Sequence, residues 1–176
     1  EIRTPMTAVL GYADLLAATN LSQRERHDFL RLIRSNGEAL LTLISDILDL
    51  SKIEAGWTEL QPEPCDPVAL FQAVISTLHV RAEEKGLHLS LQTSSAVPRS
   101  IRTDPARVRQ ILTNLIGNAV KFTSEGEVRT EISSLSETEG KVQLAFAVHD
   151  TGIGIEPDMM RSIFEPFAQA DSSHTR

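Results

Sequence analysis

In the first 18 residues, Ile2, Met6, Val9, Ala13 and Leu16 recur at alternating four- and three-residue spacing, the seam of a helix that packs lengthwise on a partner. Pro5 interrupts that run close enough to its start to bend the helix rather than end it. Asn20-Leu21 breaks the seam, and Ser22 with Glu25 has the spacing of a capping box that opens a second helix. There Phe29, Ile33, Asn36, Leu40, Leu43, Ile47 and Leu50 keep the heptad register, and Leu32, Ile44 and Leu48 widen the apolar stripe. Two antiparallel helices cannot bury so wide a face. The pattern therefore predicts that two hairpins pair into a four-helix bundle, a homodimer through residues 1–56. Asn36, polar at a core seat, would fix register at some cost in stability. Gly56 marks the end of this part.

Beyond Trp57 the periodicity changes. Residues 58–65 read as an edge strand, because Pro62 and Pro64 would spoil a central one. Asp66-Pro67 starts a helix whose Val68, Leu70, Phe71, Val74, Ile75 and Leu78 form an amphipathic run, and Gly86 ends it. Leu87, Leu89 and Leu91 alternate as a strand, and residues 94–100 form a loop. Later Val128, Thr130 and Ile132 alternate, residues 136–140 turn, and Val142, Leu144, Phe146 and Val148 alternate again, which is a hairpin. Pro157 begins a short helix, the aromatics of Phe164-Glu165-Pro166-Phe167 read as local core, and residues 168–176 as a mobile polar loop. The predicted class is α+β: a dimeric helical hairpin, then an α/β sandwich with helices on one face of a mixed sheet.

Between those strands lies residues 104–123, DPARVRQILTNLIGNAVKFT. Asp104 can cap free backbone donors and Pro105 fits the first helical position. Val108, Ile111, Leu112, Leu115, Ala119 and Phe122 define a face expected to lie on the core. On the other face Gln110, Asn114, Asn118 and Lys121 follow the same period, stacking carboxamides and an ammonium in one stripe. By spacing alone this is a solvated helix face or a surface suited to a triphosphate and its metal. After the hairpin comes Asp150-Thr151-Gly152-Ile153-Gly154-Ile155. A carboxylate at a strand end gives a fixed acceptor, and two glycines let backbone approach a flat ring such as adenine; a plain turn reads the same way. Glu1 and Thr4, a turn apart, put a carboxylate and a hydroxyl on one face, either a solvated turn or a pair able to manage proton transfer.

Composition narrows the classes. A net charge of -7 argues against nucleic acid as a partner, which requires clustered Lys and Arg. Arg24, Arg26, Arg31 and Arg34 crowd one region, a solvated helix face or a dock for an acidic partner. The single Cys65 has no disulfide or zinc partner and fits a reducing cytoplasm. No apolar run is long enough to span a bilayer, so no membrane contact is expected within this segment.

Four stretches, in order, resemble the sensor histidine kinases of two-component signalling. Glu1-Ile2-Arg3-Thr4-Pro5 is similar to the tail of that family's phosphoacceptor motif, in which a histidine directly precedes the acidic residue. Residues 114–123, NLIGNAVKFT, are similar to its asparagine box, Asp150-Thr151-Gly152-Ile153-Gly154 to its first glycine box, and Phe164-Glu165-Pro166-Phe167 to its phenylalanine box. The resemblance implies ATP and Mg2+ as ligands, with Asn118 holding the metal on the phosphates and Asn114 and Lys121 beside it. It implies that Asp150 accepts from the adenine amine over a floor of Gly152 and Gly154. Glu1 would take the proton of the acceptor imidazole, and Thr4 would position water in the reverse, phosphatase direction. Residues 1–56 would be the dimerisation and phosphotransfer domain and residues 57–176 the ATP-binding domain, without its lid and last strands. The partner would be the aspartate of a response-regulator receiver domain. The setting would be cytoplasmic, free or as the inner part of a membrane-anchored sensor.

The phosphoacceptor itself is not in this chain: His27, His79, His88, His149 and His174 lack the motif and read as surface or packing residues. The alternatives are an ATPase of related fold and a non-catalytic dimer module with a degenerate pocket. ATPases of that fold carry a glutamate base where Asn114 stands, and an amide cannot take a proton from water.

Overall fold

The structure, a computed structural model, describes residues 2–17, 21–57, 59–94, 96–161 and 163. The chain divides into two compact units, Glu1–Glu59 and Leu60–Arg176.

The first unit holds helices α1 (Arg3–Leu16) and α2 (Gln23–Glu54). Pro5 is the third residue of α1, where its missing N–H is one of the donors that no helix start satisfies, so the helix runs through it. Both arms of the capping box form at α2: Ser22 Oγ accepts from the Glu25 N–H at 3.2 Å, and the Ser22 N–H donates to the Glu25 carboxylate at 2.8 Å. The Ser22 hydroxyl, then its backbone N–H, hold the Glu25 carboxyl below its ordinary pKa. At the far end Gly56, at φ 69°, lets its own N–H reach Ile53 O and the Trp57 N–H reach Lys52 O, a Schellman close.

Tyr12, late in α1, stacks on Phe29, early in α2, with ring centroids 5.8 Å apart, as an antiparallel hairpin requires. Val9, Leu16, Ile33, Leu40, Leu43, Ile47 and Leu50 are half-buried, whereas Ile2, Met6 and Ala13 of the expected seam stay exposed. No described residue of either helix is fully buried, and Leu41, Ile44, Leu48 and Ile53 face out. The Asn36 amide donates to Leu32 O at 2.8 Å, so its own helix satisfies it. Arg31 pairs with Asp28 and Arg34 with Glu38 along the same helix, ordinary solvated pairs.

The second unit runs β1 (Glu63–Cys65), α3 (Pro67–Glu84), β2 (His88–Thr93), β3 (Ile101–Thr103), α4 (Pro105–Phe122), β4 (Glu127–Thr138), β5 (Lys141–Asp150) and a 3-10 turn (Pro157–Met159). The main sheet has the order β2-β4-β5, parallel then antiparallel. It is the expected mixed sheet of an α+β fold. The edge strand expected over residues 58–65 is confined to β1. It pairs with β3 rather than the main sheet, Cys65 opposite Ile101. Three residues of β3 are too few for an alternating pattern, which is why the sequence points to no strand between the loop of residues 94–100 and Asp104. The β4–β5 turn narrows to Glu139-Gly140, both at positive φ, and the ladder slips between Ser134 and Ser136.

Phe71, Val74 and Leu78 from α3, Leu112, Ile116, Ala119 and Val120 from α4, and Leu89, Val128 and Ile132 from the strands form the core. The expected inward face of α4 is thereby corrected: Ile111 (58% exposed), Leu115 and Phe122 look outward. At about 100° per residue those three lie together on the arc beside Asn118, whereas the arc through Leu112, Ile116 and Ala119 meets α3 and the sheet. Among the described residues no helix is long and apolar enough to cross a membrane.

Candidate functional site

The carrier of the site is α4, and its start is firmly held. Asp104 Oδ1 accepts from the N–H groups of Ala106 and Arg107, and Oδ2 accepts from the Gln61 N–H at 3.0 Å. The Gln61 bond first, then Arg107, lower the pKa of this carboxyl. One side chain thus caps the helix and ties it to the segment before β1.

Along the outer face of α4, Asn114, Asn118 and Lys121 are exposed. The two carboxamides take no hydrogen bond from a described residue. Gln110, half-buried at the head of the stripe, accepts from Arg107 at 2.9 Å. Lys121 Nζ stands 4.7 Å from the Phe122 ring centroid, so the aromatic braces the ammonium near the helix end.

The Asp150 turn meets α4 at that end. Asp150 is the last residue of β5, opposite Val128, and its Oδ1 accepts from the Gly152 N–H at 2.9 Å. Its Oδ2 has no partner among the described residues. A β-carbon on Gly152 would stand 2.6 Å from Phe122 O, so only glycine lets the turn lie against the last residue of α4. Gly154, at φ 71°, needs the left-handed region and has open space around it.

Thr151, which sequence reasoning treated only as part of the motif, is the clasp between the turn and the loop after α4. Its hydroxyl accepts from the Glu127 N–H at 3.1 Å and donates to Glu125 O at 3.1 Å. Gly126 fits beneath it at φ 106°, where a β-carbon would meet the Thr151 hydroxyl. The only trace in the sequence was a glycine four residues past the end of α4.

The structure therefore brings Lys121, one turn beyond Asn118, and Asp150 to the same end of α4, with Asn114 a turn further back. Thr4 sits exposed in the first turn of α1, in the other unit. Glu1 and Phe164-Glu165-Pro166-Phe167 lie outside the described residues. No cluster of three metal-ligating side chains occurs among the described residues. A single carboxamide oxygen at Asn118 fits a hard cation such as Mg2+ that keeps its waters and takes its other oxygens from phosphates.

Two family models match the chain: the His Kinase A (phospho-acceptor) domain over residues 1–56, and the histidine kinase-, DNA gyrase B- and HSP90-like ATPase over residues 103–176. The hybrid signal transduction histidine kinase A of Dictyostelium discoideum is 44% identical over 100% of this chain and 8% of its own length. The sensor protein GacS of Pseudomonas syringae pv. syringae is 41% identical over 100% of this chain and 19% of its own. The chain thus spans a fifth or less of these curated relatives. Among solved structures, full-length ShkA in complex with AMPPNP superposes with a TM-score of 0.71 at 40% identity, covering 96% of this chain and 35% of that one. With a phosphoacceptor-domain match on the helical hairpin, an ATPase-domain match on α4 and the Asp150 turn, and kinases of this kind aligned along its whole length, the chain belongs to the sensor histidine kinases of two-component systems.

Proposed function

We propose that this chain is the phosphotransfer core of an ATP-dependent protein histidine kinase, residues 1–56 serving dimerisation and phosphoryl acceptance and residues 57–176 binding nucleotide. The observation that carries the reading is the contact of Gly152 with the end of α4, which brings the Asp150 turn to the helix that bears the stripe of amides and an ammonium. Asp150 accepts the adenine amine, and the glycines keep the floor low enough for the ring. Asn114, Asn118 and Lys121 line the phosphate side; the occupant of ShkA, AMPPNP, is of this chemical class. Mg2+, held through Asn118 and the phosphates, would neutralise charge developing on the transferred group. Phosphoryl transfer is mostly positioning and charge neutralisation, so no general base need sit on α4, in keeping with an amide at Asn114.

The acceptor in this reading is a histidine directly before Glu1. Glu1 takes its ring proton, which frees the nitrogen to attack, and Thr4 orients water when the reaction runs as a phosphatase. The phosphoryl group then passes to an aspartate of a response-regulator receiver domain. The outward Leu41, Ile44 and Leu48 support homodimerisation through residues 1–56, and the lone Cys65 supports a cytoplasmic setting. The test extends the chain upstream by its natural sequence and downstream through the lid, then incubates it with γ-labelled ATP. Acid-labile, alkali-stable label that disappears in Asn118→Ala and in Asp150→Asn is the expected result. Tight nucleotide binding with no label on histidine would refute the transfer.

A further inference from the structure

Helix α4 has no glycine to close it. An α-helix leaves its last carbonyls without partners, and a left-handed glycine is the usual remedy; α4 ends instead at Thr123, an extended residue. Thr123 answers for one carbonyl only, its N–H and hydroxyl both reaching Ala119 O. The Phe122 carbonyl is turned toward Gly152.

The rest fall to Lys85. Its Nζ donates to Val120 O at 2.8 Å, Lys121 O at 2.7 Å and Thr123 O at 3.2 Å, which uses every hydrogen of an ammonium. Lys85 is itself the C-cap of α3, yet that helix does not need it. Gly86 at φ 69° closes α3 through Gly86 N–H to Glu83 O and Leu87 N–H to Ala82 O. The side chain is left to reach 35 to 38 residues along the sequence and put a full positive charge at the negative end of α4.

Resting on the nucleotide reading above, we propose that Lys85 is a positioning residue for the phosphate half of the site. It clamps the turn that bears Lys121 and follows Asn118, without touching either side chain. Asp150 is held by β5 pairing and the Gly152 N–H, and only Gly152 rests on the clamped turn, against the Phe122 carbonyl, so the adenine half depends on the clamp less than the phosphate half does. Loss of Lys85 should loosen grip on the phosphates and spare grip on the base.

The experiment measures ATP–Mg2+ and adenosine affinities by calorimetry in the whole kinase carrying this segment, for Lys85→Met, Lys85→Arg and, as a control for loosened packing, Val74→Ala. Lys85→Met is expected to lose about tenfold in ATP affinity, the scale of one charge-assisted hydrogen bond, while adenosine stays within about twofold. Lys85→Arg, which keeps charge and donors, recovers most of the loss, and Val74→Ala lowers the melting temperature with the ATP-to-adenosine ratio unchanged. Should Lys85→Met not fold, Lys85→Gln, with a neutral amide donor, reads the same ratio. Equal losses for both ligands, no loss in a folded variant, or no recovery in Lys85→Arg would overturn the proposal. A wild-type protein that binds adenosine as tightly as ATP would instead remove the phosphate reading beneath it.

Discussion

The carbonyl oxygen of Phe122 and the α-carbon of Gly152 stand so close that a β-carbon on the glycine would lie 2.6 Å from that oxygen and 2.8 Å from Asp150 Oδ1. A methyl group there has to part the Asp150 turn from α4 or break the bond between Asp150 and the Gly152 N–H. Gly152→Ala should therefore destabilise the second unit by about 1–3 kcal/mol, as overpacking does, and weaken ATP binding by at least about tenfold. Gly154→Ala meets open space and pays only for its left-handed backbone, about 1–2 kcal/mol. Chemical denaturation and nucleotide titration on the two variants would distinguish contact from strain.

Thr151→Val keeps shape and deletes the clasp. The Glu127 N–H and Glu125 O lose their hydroxyl partner at an exposed site, so the cost should be about 1 kcal/mol. Amide exchange at Glu127 should accelerate while amides at Phe71 and Ile116, deep in the core, keep their protection.

Asp104 makes part of the stability of the second unit depend on pH. Its folded pKa lies below the unfolded value, so its contribution is fully present above about 3.9 and is lost as pH falls through the folded pKa. The stability difference between wild type and Asp104→Ala should be constant near neutrality and shrink on acidification below that point. A difference that grew with acid would contradict the assignment.

The outward face of α2 predicts association. Leu48 is 55% exposed and Ile44 41% in the single chain, and a charge at either would be buried on pairing. Ile44→Glu with Leu48→Glu should shift sedimentation toward monomer at a concentration where wild type is dimeric, with helicity largely kept.

The long elements were legible because each repeats one period over many residues. The capping box at Ser22, the seam from Phe29 to Leu50 and the alternation through β4 and β5 all say the same thing several times. Single contacts between distant segments were not. β3 is three residues long, and its pairing with β1 depends on a partner 36 to 40 residues away. Ile111, Leu115 and Phe122 are as apolar as Leu112 and Ile116, and only the position of α3 decides which arc is covered. At the site, Asn118 and Asp150 were visible as types in a spacing, and Gly152 as a floor. That Thr151, Gly126 and Lys85 hold those pieces together depends on hydrogen bonds spanning 24 to 38 residues, to which no local pattern points.

The central claim is that the stripe on α4 and the Asp150 turn are two halves of one nucleotide site. Its most direct measurement is calorimetric titration of Asn118→Ala and Asp150→Asn with ATP–Mg2+ and with adenosine. Asn118→Ala should weaken ATP alone, and Asp150→Asn should weaken both, each by about tenfold or more. ATP and adenosine affinities unchanged in both variants would contradict the account.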